Sequence, residues 1–427
     1  MSKRVVITGM GVIAPNGSGL EEFETAIRNG KSGIAFIPEL AELNFACHIG
    51  GVPDTANSKY NEIIDKYGLL NGSQAIMYAG LAGLEAWENA GLIVPEYDSP
   101  QVDFDTGIMI GTGIGSIDLA GKTVIPNVDQ GKISKLRSNI VEHMMISGAS
   151  SQIAGILALG NLSTANSNAC STGTEAVLFG YDRIKSGKAS RMVVGGTDGY
   201  SPYYWSFFDN MRILTREYND NPELGSRPMS RTASGFVASA GAGALVLEEL
   251  ETAQERNATI YAEIGGGFMN SGGQRNGGSM TAPNAEGVER CIRGALDDAG
   301  VAGDDITAIS GHLTSTKADL MEIRSWSSAL NRSGDNFPYI NSLKSMTGHC
   351  LGASGAIETI AAVLQINGGF IHPNINCDDI QEEILAVTGN IHAPNTLHDN
   401  VSVNCVAKAS FGFGDVNSCI ILNKYNA

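Results

Sequence analysis

The chain has 427 residues, 43% of them hydrophobic, and a formal net charge of −17 that comes from 28 basic and 45 acidic side chains. This length favours two packed halves or two domains. The acidic balance argues against nucleic acid or an anionic membrane as a partner. No run of about 18 apolar residues and no basic, apolar leader occurs, so we expect a cytoplasmic protein that does not enter a membrane.

The seven cysteines are scattered along the chain, at positions 47, 170, 291, 350, 377, 405 and 419. Neither a C-x-x-C pair nor a Cys/His spacing typical of a metal site is present, which predicts neither a bound metal nor a disulfide framework. Reduced thiols in a cytoplasmic enzyme fit this pattern best.

Short β-branched runs alternate with longer helical runs in chain order. The predicted strands are 4–8, 107–111, 192–195, 244–247, 260–264, 307–311, 339–343, 401–406 and 419–422. Most are continuously apolar, as in strands that are buried on both faces. Ser73 and Gly91 bound one predicted helix, Gly300 ends another that includes Val288, and residues 355–366 predict a core helix. This alternation is typical of a layered α/β fold.

Both halves of the sequence contain a strand followed by a glycine-rich loop, and both end in a β-rich stretch. The acidic segment 248–257 lies between them, so we predict two domains, 1–255 and 256–427. A duplicated α/β/α/β/α sandwich fits this weak internal repeat. Periodicity alone does not distinguish it from two unrelated α/β domains.

Residues 161–187 carry the first chemical signal. A strand of small polar residues runs into Cys170, and a helix follows at once, with Ser171 and Thr172 as candidate caps and Gly187 at its end. The start of a helix favours negative charge, so a thiol there is expected to ionise easily and act as a nucleophile. A structural buried cysteine explains this stretch equally well.

Three further segments place reactive side chains at the ends of predicted elements. His312 directly follows a strand, Lys344 and His349 precede the core helix, and a glycine-aromatic loop, 409–417, joins the last two strands. Each segment has a purely structural explanation when it is taken alone. Together, one thiol, two imidazoles and free backbone amides form a set suited to acyl transfer.

These segments carry a resemblance to a known family. Besides NACSTG around Cys170, the chain contains VVITGMGVIAPNG, GTGIGS, SLKSMTGHCLGASG and ASFGFGDVN, in that family's order. The sequence resembles the β-ketoacyl-[acyl-carrier-protein] synthases of the thiolase-like superfamily, and most closely the elongating type II (dissociated) condensing enzymes. The resemblance covers nearly the whole chain and implies a duplicated thiolase-like α/β/α/β/α five-layered sandwich.

The resemblance implies a decarboxylative condensation. Cys170 would accept an acyl chain from a thioester. His312 and His349 would bind the malonyl thioester carbonyl and favour loss of CO2, and the resulting carbanion would give a 3-ketoacyl-carrier product. Such condensations extend fatty-acid, polyketide or aryl-polyene-type chains. An acyl carrier protein would bring the substrates on its phosphopantetheine arm, and neither another cofactor nor a metal is implied.

The resemblance also implies supporting roles. Lys344, paired with Glu322, would orient the histidines, and the backbone amides of Cys170 and Phe413 would form an oxyanion hole. The implied binding residues are Phe413 as a movable gate, Thr314 and Thr316 as partners of the phosphopantetheine arm, and Ile114 as a wall of the acyl pocket near a homodimer interface.

Several residues depart from the usual motifs. Leu313 and Lys317 stand where glycine and proline are usual, and Asp415 replaces a glycine in the gate motif GFGDVN. Leu313 adds bulk beside His312, and Asp415 adds a carboxylate near the gate. We interpret these changes as an altered substrate range, in a branch outside housekeeping fatty-acid synthesis.

The family's carrier protein is acidic, so a chain of net charge −17 needs a local basic patch to receive it. Arg212 and Arg216 occupy the matching region, and Lys66 is a further candidate, although solvated surface charge explains all three equally well. A homodimer is implied, and a heterodimer stays open.

Three other classes of protein are alternatives to a condensing enzyme. A non-catalytic chain-length partner subunit usually lacks the nucleophile, which is present here as Cys170 together with His312 and His349. A thiolase is expected to carry a second reactive cysteine where this chain has GFGD. A chain-initiating synthase has asparagine where His349 stands.

Overall fold

The computed structural model describes residues 2–69, 73–389 and 392–426. Most of the strands belong to one large mixed sheet. In chain order the strands are β1 (Val5–Ala14), β2 (Gly17–Ser18), β3 (Ile34–Phe36), β4 (Ile49–Gly51), β5 (Thr106–Gly111), β6 (Ser163–Thr164), β7 (Arg191–Asp198), β8 (Gly241–Glu249), β9 (Ala262–Ser271), β10 (Ala308–Ser310), β11 (Tyr339–Asn341), β12 (Phe370–Ile371), β13 (His398–Asp399), β14 (Cys405–Gly412) and β15 (Val416–Asn423).

Helices connect and cover these strands. They are α1 (Leu20–Arg28), α2 (Pro38–Glu42), α3 (Ser58–Tyr67), α4 (Gln74–Asn89), α5 (Ile117–Leu119), α6 (Ile125–Asp129), α7 (Ile140–Met144), α8 (Gly148–Leu157), α9 (Thr172–Lys185), α10 (Pro202–Asn210), α11 (Leu250–Glu255), α12 (Ala285–Ala299), α13 (Ala318–Leu330), α14 (Lys344–Thr347), α15 (Ser354–Gly368) and α16 (Glu382–Thr388). Within the described ranges, no helix is both long and apolar enough to cross a membrane.

The sheet consists of two halves with the same topology. From the centre outward, the first half runs β1-β8-β7-β5-β6 and the second runs β9-β15-β14-β10-β11. In each half the first two pairings are antiparallel and the next two are parallel. Strands β1 and β9 join the halves through a short antiparallel pairing. This repeated order confirms a duplicated fold and argues against two unrelated domains.

The helices form three layers around the two half-sheets. Helix α9 packs on β7 and β15, and α15 packs on β8 and β14, so both lie between the halves. Helices α4 and α8 cover the outside of the first half, and α12 and α13 cover the second. Every side chain from Ser354 to Ile366 is buried, which confirms the predicted core helix. The predicted α/β/α/β/α five-layered sandwich is therefore the fold of this chain.

The predicted strands are all present, with different limits. Strand β1 continues to Ala14 and not only to Thr8. Its glycines permit this because helix α4 lies directly on them: a Cβ at Gly11 would lie 2.1 Å from the carbonyl oxygen of Ala82. Strand β14 spans Cys405–Gly412 and β15 begins at Val416, so the predicted strand 401–406 lies too early and the predicted loop 409–417 is reduced to residues 413–415. The proposed domain boundary at 255/256 falls between β8 and β9, and it stays a prediction.

The predicted helix ends depend on identifiable groups. The Ser73 hydroxyl accepts the N–H of Ile76 at 3.4 Å at the start of α4. Gly300 ends α12 in the left-handed conformation, with φ 66°. Gly187, with φ 71°, follows the end of α9. These three predictions are confirmed.

Candidate active site

Cys170 lies in a tight 3-10 turn, Ala169–Ser171, immediately before helix α9. The Thr172 hydroxyl fixes this turn because it accepts the N–H of Asn168 at 2.8 Å and donates to the carbonyl of Ala169 at 2.7 Å. Ser171 instead donates to the carbonyl of Ser410 at 3.3 Å. Neither side chain caps α9, so their predicted capping role is wrong. What they do is hold the cysteine turn against strand β14.

The Cys170 sulfur lies among the groups that the sequence singled out. Its Sγ is 3.0 Å from Nε2 of His349, and the backbone N–H of Phe413 donates a hydrogen bond to it. Sγ and one ring nitrogen each of His312 and His349 lie within 4.8 Å of one another. The two imidazole rings are nearly perpendicular, with centroids 5.4 Å apart. The fold therefore brings together three residues that are distant in the sequence.

The ionisation of Cys170 differs from expectation. Burial raises the pKa of this thiol to about 11, although the positive charge of Lys344 and the hydrogen bond from Phe413 act in the opposite direction. The expectation of an easily ionised thiol at the start of a helix is therefore wrong. Desolvation outweighs the effects of Lys344 and the Phe413 N–H, and the resting side chain is a neutral thiol at neutral pH.

The hydrogen bonds of both histidines define one tautomer. Nδ1 of His349 accepts the backbone N–H of Leu351 at 3.2 Å. Nδ1 of His312 lies 3.4 Å from the Lys344 ammonium, which can only donate. In the neutral rings the proton is therefore on Nε2. Burial lowers the pKa of both histidines well below the usual value. Both are neutral N–H donors, which favours hydrogen-bond donation over metal ligation by these two rings and the thiol.

Lys344 lies behind the histidines, with a partner other than the predicted one. Its ammonium pairs with Glu358 of α15 and donates to the carbonyl of His312 at 2.7 Å. Glu322 instead accepts the backbone N–H groups of His312 at 2.7 Å and Leu313 at 2.8 Å. Burial raises the pKa of Glu322 to about 7. The predicted Lys344–Glu322 pair is wrong, because the backbone after β10 turns its amides towards this carboxylate.

A cavity of about 850 Å³ opens beside these groups. Thr314 and Thr316 lie in its wall, with their hydroxyl oxygens 3.1 Å apart. The aromatic residues that line the cavity are Tyr204, Phe207, Phe208, Phe236, Phe411 and Phe413. The Phe413 ring lies 6.4 Å from that of Phe208, centroid to centroid. The cavity can therefore take an apolar chain and leads directly to Cys170.

Ile114 lies beside the cavity and does not line it. Gly113 does so, while Ile114 packs, partly buried, against a neighbouring hydrophobic cluster. The turn that carries both is held by Asp198, whose carboxylate accepts from the Thr112 hydroxyl at 2.9 Å and from the N–H of Gly352 at 2.7 Å. Burial raises the pKa of Asp198 to about 6. Asp198 was missed by sequence reasoning, since its only signal is an acid at the end of an apolar strand.

The three candidate carrier contacts lie in different places. Arg212 is exposed and lines the mouth of the cavity. Arg216 is exposed on the same segment and donates to the carbonyl of Asp209 at 2.8 Å. Lys66 lies on α3, which packs on α4, and its ammonium is 4.9 Å from the centre of the Tyr67 ring. The structure thus places Arg212 at the cavity, Arg216 nearby on the same exposed segment, and Lys66 outside the cavity wall.

Of the residues that depart from the family motifs, some line the cavity and others do not. Leu313 is fully buried in a hydrophobic cluster with Ile309 and Ile323, and Asp415 is fully buried beneath the gate loop. Neither lines the cavity, whereas Lys317 does. Any effect of Leu313 and Asp415 on the substrate range would therefore be indirect, and the altered substrate range stays a prediction.

Two buried charges were missed by sequence reasoning. Glu358 lies on the core helix α15, and Lys408 lies on strand β14, fully buried. The Lys408 ammonium is 3.1 Å from Oε2 of Glu358. A charged residue within an apolar helix or strand is the signal that could have revealed both.

The chain is similar to known proteins over most of its length. The family model described as "Beta-ketoacyl synthase, N-terminal domain" matches residues 2–253, and "Beta-ketoacyl synthase, C-terminal domain" matches residues 261–378. A curated relative, 3-oxoacyl-[acyl-carrier-protein] synthase 1 of Haemophilus influenzae, is 34% identical over 99% of this chain and 100% of its own length.

Solved structures extend the comparison. The ishigamide ketosynthase/chain length factor is 29% identical, with a TM-score of 0.87 over 100% of both chains. A type II polyketide ketosynthase, solved with its acyl-carrier protein and bound to the hexaketide, is 27% identical, with the same TM-score over 100% of both chains. The chain belongs to the beta-ketoacyl synthase family.

Proposed function

We propose that the protein is a condensing acyltransferase, a 3-oxoacyl-[acyl-carrier-protein] synthase. It joins an acyl group carried on Cys170 to a malonyl group on an acyl carrier protein and releases CO2 and a 3-ketoacyl-carrier product. The observation that carries this proposal is the convergence of the Cys170 thiol with His312 and His349 beside an apolar cavity. The same convergence disfavours a non-catalytic chain-length subunit, which has no use for a nucleophile.

In the first half-reaction, the sulfur of Cys170 attacks the carbonyl of an acyl thioester. The bond between that carbonyl and the carrier sulfur breaks, and the thiol proton leaves with the carrier thiol. The N–H groups of Cys170 and Phe413 are available to the developing oxyanion. Gly412 leaves room for it, since a Cβ there would lie 3.2 Å from the Cys170 nitrogen.

In the second half-reaction, the malonyl thioester oxygen accepts hydrogen bonds from His312 and His349. The bond to the carboxylate carbon breaks, CO2 leaves, and the electron pair forms an enolate held by these two donors. The enolate carbon then attacks the acyl-Cys170 carbonyl, and the sulfur of Cys170 leaves. A neutral donor of this kind typically contributes about 10²–10³ in rate.

The substrates arrive on an acyl carrier protein. A relative in the family was solved in complex with its acyl-carrier protein, and Arg212 supplies positive charge in the wall of this cavity, with Arg216 exposed on the same segment. We further propose a homodimer that works in the cytoplasm, where seven free cysteines are stable as thiols. The chain being extended is of the fatty-acid, polyketide or aryl-polyene type.

The test is a reconstituted condensation. Purified protein is mixed with acyl-carrier and malonyl-carrier proteins, and intact mass spectrometry follows both acyl-Cys170 and the 3-ketoacyl-carrier product. We expect both species, with release of CO2. If acyl-Cys170 and the product are absent for saturated, polyunsaturated and aryl acyl chains alike, the proposal is wrong and the non-catalytic alternative gains support.

A further inference from the structure

Lys408 is a fully buried lysine that the two half-reactions above do not use. Its ammonium lies 2.6 Å from the hydroxyl of Thr174, 2.5 Å from that of Ser410 and 3.1 Å from Oε2 of Glu358. A buried ammonium is costly unless its donors are satisfied. Three polar groups contact this ammonium, so the fold provides partners for a buried positive charge.

This place connects directly to the histidines. Glu358 uses its other oxygen to pair with Lys344. Lys344 in turn donates to the His312 carbonyl at 2.7 Å and lies 3.4 Å from Nδ1 of the same residue. A continuous path of polar contacts therefore runs from Lys408 through Glu358 and Lys344 to His312, one of the two residues proposed to donate to the malonyl thioester oxygen.

The same ammonium also contacts the nucleophile's helix. Thr174 belongs to the first turn of α9, four residues after Cys170. The hydroxyls of Thr174 and Ser410 lie 2.8 Å apart, and the Ser410 carbonyl accepts the Ser171 hydroxyl at 3.3 Å. Lys408 thus lies where the cysteine-bearing turn meets the charged pair behind the histidines.

Charge is unbalanced at this point. Two ammonium groups share the single carboxylate of Glu358, so the buried trio carries a net positive charge. The titratable groups that face Lys408 are Glu358 on α15, Lys344 on α14 and Cys419 on β15. Both imidazoles also feel its charge, which opposes their protonation. A positive charge here favours the oxyanion and enolate that the proposed reaction creates.

We propose that Lys408 is a positioning residue of the condensation site: it holds Glu358 and Thr174 and supplies a second positive charge behind the histidines. This inference rests on the proposed function. Burial lowers the pKa of Lys408 to about 8, against the opposing attraction of Glu358. Lys408 is therefore charged below pH 8 and loses its charge as the pH rises above it, which gives the inference a measurable signature.

The experiment compares Lys408→Met, which removes the charge, with Lys408→Arg, which keeps it. Val406→Ala is the matched control, because Val406 is buried in the same strand within a hydrophobic cluster and its truncation changes volume without removing a charge. Malonyl-carrier decarboxylation and condensation are measured from pH 6 to 9, with kcat and KM separated. Thermal unfolding of each variant shows whether it is folded.

In the wild type we expect kcat of malonyl-carrier decarboxylation, which does not use the Cys170 thiol, to fall as the pH rises through about 8. In Lys408→Met we expect this kcat at pH 7 to fall by about tenfold, as for a charge coupled to the histidines through Glu358 and Lys344. KM should change little and the fall near pH 8 should disappear. Lys408→Arg should restore most of kcat and move the fall to higher pH, and Val406→Ala should keep the wild-type profile.

Two results overturn the inference. One is a folded Lys408→Met that keeps the wild-type kcat and pH profile. The other, which does not depend on that variant's folding, is a wild-type kcat of malonyl-carrier decarboxylation that stays constant across pH 7–9. A wild-type protein without any condensation would instead overturn the proposed function, so the two failures are distinguishable.

Discussion

The Cys170 sulfur lies 3.0 Å from Nε2 of His349, yet this imidazole is held as an N–H donor to it. The backbone N–H of Leu351 occupies Nδ1, so the ring has no free nitrogen to take the thiol proton. Two donors, His349 and the Phe413 amide, therefore point at a sulfur whose pKa burial raises to about 11. The arrangement stabilises negative charge once it forms, at the sulfur or at a substrate oxygen.

This arrangement predicts the pH dependence of alkylation at Cys170. Because only the thiolate reacts, the iodoacetamide rate should rise about tenfold per pH unit between pH 7 and 9, without a plateau. Mass spectrometry of the peptide that contains Cys170 measures the rate. The other six cysteines are buried and serve as internal references. A plateau below pH 8 would show that the helix start, and not desolvation, controls this thiol.

Removal of the nucleophile should separate the two half-reactions. Cys170→Ala is expected to abolish condensation and to spare malonyl-carrier decarboxylation, because only the histidines serve that step. His312→Ala is the converse variant and should lower decarboxylation by about 10²–10³. Release of CO2 from labelled malonyl-carrier protein measures both. If Cys170→Ala still elongates acyl chains, the nucleophile has been misassigned.

The alternating strands and helices and the reactive residues were predictable from the sequence because they rest on local signals. Apolar strands, glycines at helix ends and motifs at element ends are visible without tertiary information. The identical strand order of the two halves was not predictable from these local signals, since it depends on which strands pair. The resemblance to a family supplied that order in advance, whereas periodicity left two unrelated domains possible.

The partners of buried charges could not be predicted in the same way. The resemblance implied Glu322 as the partner of Lys344. Glu358 is hidden in a helix that is otherwise apolar. Which carboxylate faces the ammonium depends on how α13 and α15 pack around β10 and β14. The ionisation of Cys170 is a similar case, because desolvation is a property of the assembled core.

A double-mutant cycle should identify the true partner of Lys344. The stability of Lys344→Met, Glu358→Gln and their combination should show a coupling energy of about 1–3 kcal/mol. The parallel cycle with Glu322→Gln should give a coupling within about 0.5 kcal/mol of zero. Urea unfolding provides each free energy of unfolding. Coupling of Lys344 to Glu322 alone would contradict the pairing described above.

Glu322 should nevertheless matter for stability. Its carboxylate accepts the N–H groups of His312 and Leu313, and an amide in its place would turn a donor towards one of them. Glu322→Gln is therefore expected to lower the free energy of unfolding by about 1–3 kcal/mol. Urea unfolding at pH 7 measures this, with Glu62→Gln, at an exposed position of α3, as a control that should cost little. An unchanged stability would mean that the two amides find other acceptors.

Asp415 offers a last prediction, about the gate loop. Its carboxylate accepts the N–H of Gln274 at 2.8 Å and that of Asn284 at 3.0 Å, and the N–H of Gly414 donates to the carbonyl of Met280 at 2.9 Å. These bonds fasten the loop of Phe413 to segment 272–284, of which residues 281–283 line the cavity. Asp415 therefore influences the cavity indirectly, because it binds the backbone of a segment that lines the cavity and does not line the cavity itself.

Asp415→Gly should loosen this connection. Glycine accommodates the φ of 59° at this position, so the variant removes the hydrogen bonds without adding backbone strain. We expect faster amide hydrogen exchange in residues 272–284 and a higher KM for carrier-bound substrates, with the preference among acyl chain lengths unchanged. Asp415→Asn, which tolerates the same φ and keeps one acceptor oxygen, should lie between the two. A changed chain-length preference in a variant with wild-type exchange would mean that Asp415 does meet the substrate.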